Sequence, residues 1–391
     1  MTRSFEINRR LLLGGALGGV SLAFAGRAAA RGAGRKKLVV IVARGAMDGL
    51  SVVVPHADAD YVPLRGALAV AAPGQDGGAL DLGGGFGLHP ALPGLHALHR
   101  AGQMRFAPAV AIPVRVRSHF DAQDVLENGG EGLRQQDDGW LNRALVATGG
   151  PRGLSIGAQT PLILRGAADT SSWSPGGRVT GQDRIAALLQ DMYVEDPLLA
   201  TSLARGLETD AMAMIVGDGT PLRRNDVNGL GQAVARLMTG EAGADVVALS
   251  VDGWDTHARQ NAQLQTRLAG LDQVIGGLRE GLGGQWADTV VIVATEFGRT
   301  ARANGTQGTD HGTASSLLLA GGALKPGGLI GDWPTLAENR LFEGRDLAPT
   351  LDVRSVFKGV LRDHLGVDRA ALDARVFPGS AAEAPAIGGL V

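Results

Sequence analysis

The residues of this chain that could do chemistry collect directly after short apolar runs. Lys37–Ala43 leads into Arg44-Gly45-Ala46-Met47-Asp48-Gly49, and Met104–Ile112 into Arg115-Val116-Arg117-Ser118-His119. Asp245–Val251 leads into Asp252-Gly253-Trp254-Asp255-Thr256-His257, and Thr289–Thr295 into Glu296-Phe297-Gly298-Arg299-Thr300. A further connection carries Thr309-Asp310-His311-Gly312. Hard oxygens together with imidazoles are the donors that suit Zn²⁺, Mn²⁺ or Mg²⁺. Each carboxylate taken singly reads as a helix cap or a turn former, and Asp252-Gly253 reads first as a turn. The set points to metal binding or catalysis because Asp255 with His257, and Asp310 with His311, each put a carboxylate and an imidazole within two positions. Ser118 has two readings. If His119–Asn128 is a helix, its hydroxyl sits at the N-cap, where backbone N–H groups and the helix dipole favour an anion; it caps the helix or attacks a phosphoryl group beside a metal.

Positioning these groups requires a sheet. The run Lys37–Ala43 is apolar and rich in β-branched residues, as in a strand buried on both faces, and similar runs recur at Met104–Ile112, Asp245–Val251, Thr289–Thr295 and Ser316–Ala320. Between the third and fourth, Leu264, Leu268, Leu271, Ile275, Leu278 and Leu282 recur at helical steps, and His89–Gly102 reads as another crossover helix. Strand, helix, strand predicts an α/β fold with a parallel sheet, whose ligands bind beyond the carboxyl ends of the strands. Residues 130–240 are less regular, with Gly, Ser and Pro clusters, and read as an inserted cap region, helical around 181–215 and 226–240. The glycine-rich Pro73–Gly87 reads as a loop or irregular hairpin.

The 391-residue length allows one large domain with a substantial core. Cysteine is absent, which excludes disulfides, thiolate metal sites, a cysteine nucleophile and a cysteine-derived formylglycine. Any metal must therefore be held by His, Asp or Glu. At the start, Arg9-Arg10 precede an apolar run from Leu11 to Gly26, then Arg27 and Ala28-Ala29-Ala30. A charged start, an apolar middle and an A-x-A end predict a signal peptide over 1–30, with 35–391 as the mature α/β domain. The run falls short of the ~20 residues that span a bilayer, so no stable membrane anchor is expected. The paired arginines predict the twin-arginine export machinery as a partner and a periplasmic or extracellular destination. Removing residues 1–30 takes away four arginines and one glutamate, which moves the net charge from −2 to −5 and leaves nothing suited to bulk binding of nucleic acid.

Gly45-Ala46-Met47-Asp48-Gly49-Leu50, Arg117-Ser118-His119-Phe120, Asp138-Gly139-Trp140-Leu141, Trp254-Asp255-Thr256-His257, Thr295-Glu296-Phe297-Gly298-Arg299 and Thr309-Asp310-His311-Gly312 resemble the exported bacterial family known as domain of unknown function 1501. That family looks like a branch of the alkaline phosphatase superfamily, with sulfatases among its relatives. The resemblance implies a doubly wound, mostly parallel sheet of alkaline phosphatase-like type, one or two divalent ions and a hydroxyl nucleophile acting on a small-molecule or polymer ester, phosphate before sulfate. Carried over residue by residue, it makes Asp48 a ligand of one metal and Ser118 the nucleophile. Asp255 and His257 match the pair that holds the other metal, Glu296 stands where relatives have an Asp-His pair, and His311 is the remaining imidazole. Asp310 ligates or orients, and Arg299 or Arg117 neutralises the equatorial ester oxygens.

This chain departs from the pattern in two places. Its Asp and His are two apart where the relatives space them by four, and Glu296-Phe297-Gly298 replaces Asp-His-Gly, which removes an imidazole. A secreted binding or assembly protein on the same fold is the alternative those departures support. A second alternative is a serine hydrolase using Ser155, since Gly153-Leu154-Ser155-Ile156-Gly157 fits the G-x-S-x-G nucleophile elbow, although a strand-to-helix context is lacking.

Overall fold

A computed structural model of the chain describes residues 34–157, 159–174, 227–240 and 243–391, with isolated positions between 189 and 204. The expected signal segment 1–30 and most of the expected helical region 181–215 lie outside the described residues.

The first apolar run forms β1 (Lys37–Arg44) at the centre of an eight-stranded sheet. A small three-stranded sheet follows from β2 (Val53–Val54), β3 (Leu80–Gly83) and β4 (Phe86–Leu88), so the glycine-rich tract is a hairpin. The remaining strands are β5 (Met104–Ala111), β6 (Gly153–Ile156), β7 (Thr170–Trp173), β8 (Val246–Asp252), β9 (Thr289–Ala294), β10 (Ser315–Ala320) and β11 (Leu351–Asp352). The large sheet has the order β11-β5-β10-β9-β1-β8-β6-β7. All its pairs are parallel except those of β10, which runs antiparallel to both β9 and β5. The expectation of a doubly wound, mostly parallel sheet is met.

Alternation along β1 shows why both faces are covered. Leu38, Val40 and Val42 enter one apolar cluster with Trp140 and Phe357, while Val39, Ile41 and Ala43 enter the other with Leu268 and Leu271. The helices divide accordingly. The second face carries α1 (Pro93–Arg100), and the first carries α2 (His119–Asn128) and α3 (Trp140–Thr148). Next, α4 (Val227–Met238) and α5 (Gln260–Leu282) pack on the second face, and α6 (Val353–Leu365) on the first.

Part of the stretch expected as a cap, 130–240, belongs to this framework instead. Helix α3 buries Trp140, Leu141, Ala144 and Leu145, β6 pairs in parallel with β8 and with β7, and α4 packs on α5. The four-residue strands are too short for alternation to reveal them among Gly and Ser. The same placement corrects the serine-hydrolase alternative. Ser155 is wholly buried within β6, its hydroxyl has no hydrogen-bond partner, and no helix follows directly. That environment is the opposite of an elbow that exposes a nucleophile.

The reversal of β10 matters most to the rim. The parallel strands β1, β8 and β9 end at one edge, and because β10 enters the sheet from that edge, the residues just before it reach the same rim. An isolated antiparallel bridge between Arg299 and His311 ties the connection after β9 to the approach to β10.

Candidate metal centre

His119, Asp255, His257 and His311 meet at this rim. The Nε2 atoms of His119 and His257 each lie 3.1 Å from His311 Nε2. Asp255 Oδ1 is 2.9 Å from His257 Nε2 and 3.1 Å from His311 Nε2, and its Oδ2 is 3.5 Å from His119 Nε2. Ligand atoms of His119, Asp255 and His311 all fall within 4.8 Å of one another, and His257 adjoins them.

The far side of each ring fixes its tautomer. His119 Nδ1 faces Glu296 Oε1 at 2.8 Å, His311 Nδ1 faces the Arg117 carbonyl at 2.7 Å, and His257 Nδ1 faces Asp310 Oδ1 at 3.3 Å. Carboxylates and carbonyls only accept, so in each neutral ring Nδ1–H donates and Nε2 keeps a lone pair. Three lone pairs and a carboxylate aimed at one another repel unless a cation lies between them. Ligands about 2.1 Å from a tetrahedral ion stand roughly 3.4 Å apart, close to the spacing here. The residues therefore fit a divalent ion, with the outer acceptors in the orienting role such sites use.

Local sequence explains each placement. At the end of β1, Gly45 has φ +110°, and a Cβ there would come within 2.8 Å of Asp255 N. Its N–H donates to Glu296 Oε1 at 2.8 Å. A Cβ at Gly298 would fall 1.7 Å from the Ala314 carbonyl oxygen, so only glycine lets the connection after β9 lie against the approach to β10. Ser118 caps α2, accepting from Asp121 N at 3.5 Å, and so makes His119 the first residue of the helix. Phe297, at the position where the resemblance marks a missing imidazole, stacks on the His119 ring with centroids 4.9 Å apart. The imidazole this ring packs against belongs to α2. His119 was visible in sequence as part of the rim segment after β5, but its neighbour Ser118 drew the chemical reading.

Of the nine expected site residues, Asp255, His257 and His311 meet directly. Glu296 is fully buried and reaches the cluster through His119; besides the imidazole and Gly45, Gln123 donates to Oε1 at 3.0 Å and Thr295 to Oε2 at 2.9 Å. Asp310 orients His257 and accepts from Asn304 at 3.2 Å. Arg299, with a side chain wholly buried, donates to Asp255 Oδ1 at 2.6 Å and to Thr309 Oγ1 at 3.1 Å. Arg117 is spent on Glu343 and Asp346, both at 2.8 Å, and touches the cluster through its carbonyl. Ser118 is exposed beside His119. Asp48 stands apart: its buried Oδ2 accepts from Arg65, Gln260 and Ser51, the last at 2.8 Å.

Electrostatics keep the anions charged. Burial alone would raise Asp255, but the Arg299 hydrogen bond and charge, followed by His257 and His311, outweigh it and hold the carboxyl below the usual range. Burial also opposes ionisation of Glu296, and donation from His119, Gln123 and Gly45 reverses that. The Glu296 bond in turn raises the His119 imidazole above its ordinary value.

No curated protein matches the chain. Among solved structures, the C-terminal periplasmic domain of EcEptC from Escherichia coli, in complex with Zn, is 9% identical with a TM-score of 0.43, covering 88% of this chain and 85% of that one. The phosphonate monoester hydrolase of Agrobacterium radiobacter is 12% identical with a TM-score of 0.36, covering 85% and 74%. Alkaline phosphatase from the Antarctic bacterium TAB5 is 10% identical with a TM-score of 0.36, covering 75% and 94%. Likenesses this distant assign nothing to the residues of the rim. Residues 99–376 match the family described as "Protein of unknown function (DUF1501)", and the chain belongs to that family.

Proposed function

We propose that this chain is an exported, metal-dependent hydrolase of phosphate esters, with sulfate esters second, that holds Zn²⁺, Mn²⁺ or Mg²⁺ at the rim. The observation that carries this reading is the convergence of three tautomer-fixed Nε2 lone pairs with the Asp255 carboxylate. When bound, a divalent ion supplies Lewis-acid polarisation of the ester oxygen. The chain's own residues do the rest. His119, Asp255 and His311 hold the ion, with His257 beside them; Arg299 holds Asp255 in place, and Glu296, Asp310 and the Arg117 carbonyl hold the imidazoles. Ser118 is the nucleophile in this reading, an exposed hydroxyl at the N-terminus of α2, where N–H groups favour an anionic group. Export by the twin-arginine route to the periplasm or beyond is part of the proposal, and no helix among the described residues is long and apolar enough to cross a membrane.

A second reading, binding or assembly without turnover, is favoured by one observation. Both arginines expected to neutralise ester oxygens are already paired, Arg299 with Asp255 and Arg117 with Glu343 and Asp346.

The test is metal content by mass spectrometry on protein exported through its own signal, followed by a screen of phosphate and sulfate esters with Ser118→Ala as control. Turnover that Ser118→Ala abolishes while keeping its ion supports the hydrolase. Bound ion with no turnover on any ester moves the assignment to the binding reading. Folded protein that takes up no ion sinks the metal-dependent mechanism.

A further inference from the structure

A two-ion centre, as the family resemblance implies, would need Asp48 as a ligand, and the surroundings of Asp48 do not fit that role. Its side chain is 1% exposed and that of Arg65 is 0% exposed. Arg65 Nη2 donates to Asp48 Oδ2 and, at 2.9 Å, to Ser51 Oγ, while Nη1 donates to the Thr300 carbonyl at 3.3 Å. The amide of Gln260 donates to the same Oδ2. This carboxylate is thus already neutralised by a fixed guanidinium that cannot be deprotonated and that would repel a divalent ion brought to the same group.

Asp48 Oδ1 is buried with no hydrogen-bond partner, the one feature that could invite an ion. It stands without the further donors an ion requires. Ser51 is engaged with Oδ2 and Arg65, and Gln260 with Oδ2 and Thr309. His89, the imidazole within electrostatic reach of Asp48, accepts from Ala91 N at Nδ1 over 3.1 Å, so its Nε2 carries the proton and offers no lone pair.

Asp48 is nonetheless wired to the rim. Gln260 Oε1 accepts from Thr309 Oγ1 at 2.6 Å, Thr309 Oγ1 accepts from Arg299 Nε at 3.1 Å, and Arg299 Nη1 donates to Asp255 Oδ1 at 2.6 Å. The order Arg65, Asp48, Gln260, Thr309, Arg299, Asp255 sets an ion pair on each side of two buried neutral side chains and ends on the partly exposed carboxylate that faces the imidazoles.

Given the metal centre proposed above, we infer that Arg65 is the resident counter-cation of Asp48, so that the rim takes one divalent ion per chain and Asp48 is not a ligand. The pair lies behind Gln260, which connects it to Asp255 only through Thr309 and Arg299.

The experiment loads the full mature chain with Zn²⁺, and separately Mn²⁺, removes excess ion, and counts metal per chain by mass spectrometry against protein concentration. Circular dichroism reports the fold of each variant. The wild type is expected to hold one ion, which His311→Ala loses. The paired variant Asp48→Asn with Arg65→Gln removes both charges together and is expected to keep one ion, with Kd changed no more than about tenfold. Two ions in the wild type overturn the inference, as does loss of the ion from a folded paired variant. No ion in the wild type removes the metal centre itself and the inference with it, an outcome distinct from two ions. If the paired variant does not fold, the wild-type count still decides, because one ion lost with His311→Ala supports the inference and two ions overturn it.

Discussion

Glu296 Oε1 accepts from His119 Nδ1 at 2.8 Å, and by that bond a buried carboxylate at the end of β9 decides which nitrogen of an imidazole on α2 faces the cluster. Glu296→Gln exchanges a charged acceptor for a neutral amide. Outer-sphere changes of this kind cost about 10–100-fold in metal affinity. Titration against a competing chelator should show a loss of that size; unchanged affinity would leave Glu296 without a part in ion binding.

The Asp48–Arg65 pair makes a stability prediction. Removing one partner of a buried pair leaves the other charge uncompensated and costs about 3–5 kcal/mol. Urea unfolding should therefore show Asp48→Asn and Arg65→Gln each strongly destabilised, and the paired variant less destabilised than the two losses added. Simple additivity would mean that the charges do not depend on each other.

His89 makes stability depend on pH. Burial lowers its pKa from 6.5 to about 4 in the folded chain. The unfolded chain therefore binds the extra proton first, and stability falls as pH drops through the window from about 6.5 to 4. The loss from this group is about 3 kcal/mol between pH 7 and 4. A His89→Gln variant should lose correspondingly less stability over that range, and equal slopes for the two proteins would refute the assignment.

Ser155→Ala removes a buried hydroxyl that has no partner. Since that hydroxyl is desolvated without compensation, its loss should leave stability within about 1 kcal/mol of the wild type or raise it. Any ester hydrolysis the protein shows should survive unchanged, and its disappearance would revive the elbow reading.

The central sheet was legible because β1, β8 and β9 are continuous apolar runs, and α5 because its leucines keep a strict helical step. The rim was legible for the same reason, since chemistry-bearing residues follow directly on those runs. Strand direction was not. An apolar run reads the same in either sense, so nothing in Ser315–Ala320 announces that β10 runs backwards and thereby delivers His311 to the rim. Roles within the site were also hidden, because they depend on which partner a side chain meets. Glu296 turned out to meet the far nitrogen of His119 rather than join the ligand atoms, and Asp48 found Arg65, a guanidinium from the short turn of helix Tyr61–Arg65 that no spacing rule connects to it.

The donors of the rim come from positions 119, 255 and 311, on the start of α2 and two connections that adjoin only when the sheet is assembled. A chain with one strand out of register presents single imidazoles and no cage. In the proposed metal centre, ion affinity therefore belongs to the finished fold, and by mass action an ion at 100 times its Kd would add about 2.7 kcal/mol to stability. Stripping the ion with a chelator should lower Tm by an amount that tracks the concentration of ion restored. On the proposed twin-arginine route, which carries folded chains, the ion would act as a latch that closes only on a correctly assembled molecule.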